Sequence, residues 1–123
     1  MDYAHHPTEI KNTLQTAKKI YRKVVFIFQP HTYSRTKELL KDFIEIFKDE
    51  ENLIFYKTFP AREKKEAGLS SKELASILER KYFDDVDELV EFIKAEHSNF
   101  TPVFIGAGDL PKLLEDKKYI EKL

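Results

Sequence analysis

The sequence predicts an α/β domain with a Rossmann-like arrangement, in which helices cover both faces of a mainly parallel sheet. Segments with a helical spacing of apolar residues alternate with short apolar runs along the chain. One run, Val24–Phe28, is apolar at every position, which is typical of a central parallel strand buried on both sides. The 123 residues, 41% of them hydrophobic, suffice for one domain with a substantial core.

The first half of the chain predicts a helix, a strand, a second helix and a second strand. The expected ranges, in order, are about 7–21, 24–28, 34–47 and 53–56. Apolar residues that recur on one face, such as Ile10 and Leu14, indicate the first helix. Pro30 ends the first strand because it cannot continue a central ladder. Ser34 or Thr36 is expected to cap the second helix.

The second half begins with an irregular stretch over residues 57–69. Two capping-box patterns, Ser70 with Glu73 and Asp85 with Glu88, mark the starts of two helices. The remaining expected elements, in order, are a brief strand at 82–83, a strand at 102–105 and a helix that carries Leu110, Leu113 and Leu114.

Composition and charge exclude several classes of protein. The formal net charge of -1 leaves no basic surplus for binding nucleic acid. The absence of Cys excludes a disulfide framework and thiolate chemistry. The longest apolar run, Val24–Phe28, is too short to cross a bilayer. We therefore expect a cytoplasmic protein with no membrane or nucleic-acid partner.

The front of the chain is unusual for this fold class. A helix normally follows a strand in such domains, yet the first predicted helix here has no strand before it. We therefore expect residues 1–123 to form a single domain that is truncated at its N-terminus and lacks its first strand or strands.

The loops that leave the strands form the candidate site, because ligands of open parallel sheets bind beyond the carboxyl ends of the strands. We expect three such loops, and a fourth if a strand precedes the first helix, to converge on one edge. Their notable residues, in chain order, are Asp2, Tyr3, His5 and His6; Gln29, His31, Tyr33, Ser34 and Arg35; Tyr56, Pro60, Arg62 and Glu63; and Gly106, Gly108 and Asp109.

An acid, a phenol and two imidazoles precede the first helix, at Asp2, Tyr3, His5 and His6. Pro7 suits the first helical turn, and the free N–H groups of a helix start attract anions. The cluster is either a ligand site at the mouth of the helix or a polar tail before a capped helix. Adjacent histidines point in different directions and no other His or Cys lies at zinc spacing, so we expect no metal site.

Arg35 is the sharpest single candidate. A guanidinium at a helix start is unfavourable beside the helix dipole, and a bidentate contact with a carboxylate or phosphate would compensate for it. The alternative is an exposed arginine paired with Glu38. His31 follows Pro30 on an extended loop and is either a second ligand-binding residue or a capping histidine.

Two further motifs bear on nucleotide binding. The Gly106-Ala107-Gly108 turn permits close approach of the backbone to a ligand, and its alternative is a tight strand-to-helix turn. No phosphate loop of the form Gly-x-x-x-x-Gly-Lys-Ser/Thr occurs, so this chain alone does not supply the main phosphate cradle for ATP.

His97, in a polar segment, is expected to be exposed to solvent.

Three stretches, in this order, resemble the C-terminal domain of the Mur ligases: Asp2–Ile10, Phe28–Thr36 and Gly106–Asp109. Within that family the resemblance is strongest to the branch that adds L-alanine to UDP-N-acetylmuramate. The segment Phe59–Glu63 also fits that branch, and the resemblance covers nearly the whole chain.

The resemblance implies part of a three-domain ligase of peptidoglycan precursor synthesis. One domain binds the UDP sugar, the central domain holds ATP and Mg²⁺, and the last, Rossmann-like domain brings the amino acid. ATP phosphorylates the muramoyl carboxylate, and the amine of L-alanine attacks the acyl phosphate. Because the N-terminal and central domains are absent from this chain, we expect the isolated chain not to turn over.

The resemblance also implies roles for individual residues. Asp2 would contact the ribose of ATP, and Tyr3 and His5 would line the pocket for alanine and the reaction. His31 and Arg35 would hold the carboxylate of L-alanine and neutralise developing charge. Arg35 and His5 are therefore the candidate catalytic residues.

Two positions depart from the family pattern. Thr32 stands where many members have Arg, and Met1 stands where a second Asp is usual. The alternatives at this stage are a domain of the murein peptide ligase branch, a free-standing Rossmann-like module that binds a nucleotide or amino acid without catalysis, and a fragment with a purely structural role.

Overall fold

A computed structural model describes residues 6–116 and confirms the predicted α/β architecture. The helices are α1 (Pro7–Ile20), α2 (Tyr33–Glu38), α3 (Leu40–Phe47), α4 (Ser71–Leu78), α5 (Val86–Glu96) and α6 (Leu110–Asp116). The strands are β1 (Val24–Phe28), β2 (Leu53–Tyr56), β3 (Lys81–Phe83) and β4 (Thr101–Ile105). A 3-10 turn spans Lys65–Ala67. The expected strand before α1 falls outside the described residues.

The four strands form one parallel sheet in the order β3-β2-β1-β4. In the middle of the sheet, Phe26 of β1 pairs with Leu53 of β2 and with Val103 of β4. Every β1 residue is buried, so cover on both faces explains its unbroken apolar run. The chain passes from β1 to β2 and β3 in one direction and places β4 on the other side, so the topological switch point lies between β1 and β4.

Alternate side chains of β1 serve two separate cores. Phe26 and Phe28 face the layer of α1, α3 and α4, whereas Val25 and Ile27 face the layer of α5 and α6. The Phe28 ring packs 5.0 Å from that of Phe47, centroid to centroid. Burial of one such side chain contributes about 1.5–3 kcal/mol, so these two layers firmly hold the sheet that carries the loops.

The prediction of one helix over 34–47 is wrong in two respects. The helix is divided at Leu39, whose φ of -100° and ψ of 16° interrupt the helical conformation between α2 and α3. The N-cap is Thr32 rather than Ser34 or Thr36, and its hydroxyl accepts from the N–H three residues later at 3.4 Å. Ser34 instead contacts the loop after β2, and the local sequence carries no signal of that distant contact.

The capping-box prediction at Ser70 and Glu73 is confirmed. The Ser70 hydroxyl accepts from the Glu73 N–H at 3.1 Å, and the Glu73 carboxylate accepts from the Ser70 N–H at 3.2 Å. At the start of α5, the Asp85 carboxylate accepts from the Glu88 N–H at 3.1 Å. None of the helices within residues 6–116 is long and apolar enough to span a membrane.

The structure corrects the expectation that His97 is exposed to solvent. Its ring lies 4.9 Å from that of Phe100 and 5.7 Å from that of Phe92, between centroids. Its Nδ1 atom is buried, and burial lowers the pKa of His97. The neighbouring residues in sequence are polar, but the fold packs this imidazole among aromatic rings.

Candidate functional site at the carboxyl edge of the sheet

The loops after β1, β2 and β4 meet at the carboxyl edge of the sheet, as predicted. The start of α1 lies at the same edge, because α1 leads into β1 at the amino edge and its 14 residues span about 21 Å. His6 caps α1 there: its Nδ1 accepts from the Thr8 N–H at 3.3 Å, which supports the capped-helix interpretation for this residue. Asp2, Tyr3 and His5 lie outside the described residues.

The side chain of Gln29 links the loops after β1, β2 and β4 from the interior of the domain. It is 1% exposed and follows directly after β1. Its Nε2 donates to the Asp109 carboxylate at 2.8 Å and to the Lys57 carbonyl at 3.3 Å, and its Oε1 accepts from the Leu110 N–H at 3.0 Å. The ends of β1 and β2 and the start of α6 are therefore cross-linked through one buried amide. Sequence reasoning placed Gln29 in the right loop but assigned it no such role.

The glycines after β4 are explained by their approach to Gln29. A Cβ at Gly106 would lie 2.6 Å from the Gln29 carbonyl oxygen, and the φ of Gly106, 148°, disfavours other residues. A Cβ at Gly108 would lie 2.6 Å from Gln29 Oε1. The structure therefore supports the interpretation of this segment as a tight strand-to-helix turn.

Glu63, in the loop after β2, caps the start of α2. Its Oε1 accepts from the N–H groups of Tyr33 at 2.8 Å and Ser34 at 3.0 Å, and its other oxygen accepts from the Ser34 hydroxyl. These hydrogen bonds, first that of the Ser34 hydroxyl, lower the pKa of Glu63. The anion at this helix start is thus one of the protein's own side chains. The sequence placed Glu63 at this edge without indicating its partner.

His31 lies on the segment between β1 and α2, which pairs with the loop after β2. The Thr32 N–H donates to the Phe59 carbonyl at 2.8 Å, and the Phe59 N–H donates to the Pro30 carbonyl at 2.9 Å. The partly buried His31 ring lies 5.5 Å from the Phe59 ring, between centroids. The backbone on both sides of His31 is therefore held to a second loop.

Arg35 lies in the first turn of α2 and is partly buried. The alternative in which it pairs with Glu38 is not what the structure shows. Within the part of the chain that the structure describes, the Arg35 guanidinium makes no hydrogen bond and no ion pair. A guanidinium held at this edge without an internal partner is suited to a carboxylate or phosphate of a ligand.

The structure also places Tyr56 and Arg62, two further candidates from the end of β2 and the loop after it. Tyr56 is buried at the end of β2, and burial, together with the Asp109 carboxylate, raises its pKa to about 12. Its phenol therefore stays protonated near neutral pH and cannot serve as a base. Arg62 is exposed on the loop after β2.

A cleft of about 540 Å³ lies beside the start of α2. Its lining includes Lys57, Lys65 and Lys72 as well as Tyr33 and Tyr82. Among residues 6–116, no group of three or more His, Cys, Asp or Glu side chains is placed to hold a metal ion. The cleft thus presents three lysines together with the carboxylates of Glu73 and Asp84, while Arg35 and His31 lie outside its lining.

Comparison with known proteins gives consistent matches. The family model for the Mur ligase, glutamate ligase domain, matches residues 1–108. UDP-N-acetylmuramate–L-alanine ligases of Caldanaerobacter subterraneus subsp. tengcongensis and Clostridium beijerinckii are 41% and 42% identical over 95% and 98% of this chain. The enzyme of that name from Aquifex aeolicus is 36% identical over 94% of this chain. These alignments cover 28%, 27% and 26% of the relatives, so the chain spans about a quarter of their length.

A solved structure has the same fold. It is described as a domain of a UDP-N-acetylmuramate:L-alanyl-gamma-D-glutamyl-medo-diaminopimelate ligase from Haemophilus ducreyi and superposes with a TM-score of 0.57. The match covers 98% of this chain and 87% of that domain at 19% sequence identity. At this identity the likeness concerns the α/β architecture alone.

Proposed function

The chain belongs to the Mur ligase family, and on that basis we propose that it is the amino-acid-binding domain of an ATP-dependent ligase. The proposed reaction joins L-alanine to UDP-N-acetylmuramate during synthesis of peptidoglycan precursors. The observation that carries the proposal is the loop after β1, which presents at the carboxyl edge His31 and an Arg35 guanidinium with no hydrogen bond or ion pair within residues 6–116. The 41% and 42% identity to ligases of that name supports the choice of reaction.

The proposed roles at the site follow the charge of the reactants. Arg35 and His31 hold the carboxylate of L-alanine, and Arg35 stabilises negative charge that develops when the amine attacks the acyl phosphate. Tyr3 and His5 complete the pocket for alanine, with His5 as a second catalytic candidate, and Asp2 contacts the ATP ribose. These last three roles rest on the resemblance of the N-terminal segment to the family.

ATP and Mg²⁺ are assigned to the other domains of the ligase. The sequence has no Gly-x-x-x-x-Gly-Lys-Ser/Thr loop, and residues 6–116 contain no cluster of acidic or histidine ligands for a metal. The described residues therefore do not fit a magnesium–phosphate site of their own. We place the complete enzyme in the cytoplasm, where ATP is available, with the UDP-sugar and ATP domains as its partners.

A fusion protein tests the proposal. Residues 1–123 replace the matching segment of the Caldanaerobacter ligase, and phosphate release is measured with ATP, UDP-N-acetylmuramate and L-alanine. We expect turnover by the fusion and none by the isolated chain. The parent ligase cut and rejoined at the same junctions is the control for the fusion points. A folded fusion without turnover contradicts the proposal, and tight binding of ATP or L-alanine to the isolated chain in calorimetry would favour a free-standing module.

A further inference from the structure

We propose that Glu63 is a positioning residue for Arg35 and thereby sets the affinity of the site for the carboxylate of the amino acid. This inference rests on the proposed function for its substrate, but its structural basis is independent of it. Glu63 lies on the loop after β2, 28 positions from Arg35 in sequence, and acts on the helix that carries Arg35.

The first support is the set of bonds that Glu63 makes. One carboxylate oxygen accepts from two consecutive N–H groups of α2, those of Tyr33 and Ser34, and the other accepts from the Ser34 hydroxyl. These N–H groups are at the end of the helix, where no intrahelical partner exists. Arg35 is the next residue, and its own N–H donates to the Thr32 hydroxyl at 3.4 Å, so Glu63 acts on Arg35 through the two residues that precede it.

The second support is electrostatic. A cation in the first turn of a helix is repelled by the partial positive charge of the helix N-terminus. The Glu63 carboxylate offsets that charge next to Arg35, and its lowered pKa shows that the ionised form is the one that the helix start favours. Because the N–H groups are already occupied, an incoming carboxylate must be held by side chains, Arg35 foremost.

The third support is the backbone around the contact. The Leu69 N–H donates to the Tyr33 carbonyl at 3.0 Å, and a Cβ at Gly68 would lie 2.1 Å from the same oxygen. The far end of the loop is thus fitted closely to α2 as well. Loss of the Glu63 carboxylate should therefore loosen the first turn of α2 while the fold is retained.

The isolated chain allows a test without catalysis. Glu63→Ala should increase hydrogen exchange at the Tyr33 and Ser34 amides on the order of tenfold, since each loses its acceptor. It should also lower the NMR order parameter of the Arg35 Nε–H bond. Glu63→Gln keeps an acceptor oxygen and should show a smaller change. Glu66→Ala, which removes an exposed carboxylate from the same loop, is the matched control and should change neither quantity.

The fusion protein tests the consequence for the substrate. Glu63→Ala should raise the KM for L-alanine by roughly tenfold, with the KM for ATP and the melting temperature nearly unchanged. In a fusion that already carries Arg35→Ala, the same change should have no further effect on the KM for L-alanine. Additive effects of the two substitutions, or an equal loss for every substrate, would overturn the proposal.

The two tests separate this proposal from the proposed function. If the unaltered fusion is inactive, the proposed function fails. The hydrogen-exchange and order-parameter measurements on the isolated chain then still test whether Glu63 positions Arg35. If the fusion is active and Arg35 is equally ordered in Glu63→Ala and in the unaltered chain, Glu63 is not a positioning residue.

Discussion

Arg35 and Arg80 lie at opposite edges of the sheet and are both partly buried, yet their guanidinium groups differ in surroundings. Arg80 donates to the main-chain carbonyls of Glu50 at 3.0 Å, Leu78 at 2.6 Å and Lys48 at 3.2 Å. The Arg35 guanidinium has no hydrogen bond or ion pair with any other residue in the range 6–116. Arg80 therefore has a structural role. The Arg35 guanidinium has no partner among the described residues that a ligand would have to displace.

Cavity size does not distinguish the two edges. A cleft of about 590 Å³ at the amino edge is slightly larger than the 540 Å³ cleft beside α2. At the amino edge, however, Lys18 forms an ion pair with Glu50, close to the carbonyls that Arg80 binds. The two edges therefore differ less in cavity volume than in their arginines. Within residues 6–116 the Arg80 guanidinium has protein partners and the Arg35 guanidinium has none, which marks the Arg35 edge as the candidate site.

The largest expected effect is on catalysis at the carboxyl edge. In the fusion protein, Arg35→Ala should reduce turnover by about tenfold to a thousandfold, as for loss of a donor that stabilises developing charge. Its melting temperature should stay close to that of the unaltered fusion because the Arg35 side chain makes no hydrogen bond within residues 6–116. Lys37→Ala, which removes an exposed cation from the same helix, serves as the control in the phosphate-release assay. Equal losses in the two variants would remove Arg35 from the site.

The next largest effect is expected on stability, and it tests whether Gln29 at the carboxyl edge contributes to the free energy of unfolding. Gln29→Leu removes the amide that joins three segments, so the buried Leu110 N–H and the partly buried Lys57 carbonyl and Asp109 carboxylate lose this partner. We expect a decrease of about 1–3 kcal/mol in the free energy of unfolding of the chain, measured by urea denaturation. Gln15→Leu, on the exposed face of α1, should change it by less than about 0.5 kcal/mol. Similar values for both variants would show that the cross-link contributes nothing.

At the amino edge, Arg80→Ala should show the reverse of Arg35→Ala. Loss of the three charged hydrogen bonds should decrease the free energy of unfolding by about 1–2 kcal/mol, since the group is only partly buried. Turnover of the fusion at a temperature well below its melting point should remain within a factor of about two. Arg22→Ala, at an exposed position of the same edge, is the matched control for stability. Loss of turnover in Arg80→Ala without loss of stability would contradict this division.

The smallest effect is a pH dependence at the amino edge. Because the pKa of His97 is lowered in the folded chain, protonation favours the unfolded state. The contribution of neutral His97 to stability is therefore complete above the unfolded value of about 6.5 and is lost as the pH falls toward the lower folded pKa. Urea midpoints at pH 7.5 and 5.5 should differ less in His97→Asn than in the unaltered chain. A difference of the same size in His97→Asn and in the unaltered chain would show that His97 does not cause the pH dependence.

Most of the fold could be predicted from local patterns. The apolar face of α1, the unbroken run of β1 and the capping box at Ser70 are short-range signals, and each is confirmed. The cap at Thr32 was missed although it is a local contact with the Arg35 N–H, because the pattern does not reveal the φ of 64° at Thr32. No contact among the described residues explains the division at Leu39. His97 was misjudged because its aromatic neighbours are brought to it by the packing of α5 against the turn before β4.

The candidate site was predictable in location but not in its internal contacts. The rule that ligands bind beyond the carboxyl ends of parallel strands led to the loop of His31 and Arg35. Nothing in the sequence showed that Gln29 and Glu63 hold that loop from two sides, because hydrogen-bond partners 30 and 80 positions apart are set only by the tertiary fold. The roles of Asp2, Tyr3 and His5 stay predictions, since these residues are outside the described range.

The most direct test of the account is a comparison of L-alanine with L-alaninamide as the acceptor in the fusion protein. If Arg35 binds the carboxylate of the amino acid, Arg35→Ala should reduce kcat/KM for L-alanine on the order of tenfold more than kcat/KM for L-alaninamide, which shares only the loss of charge stabilisation. An equal reduction for both acceptors would show that Arg35 does not recognise the carboxylate, and the central claim would be wrong.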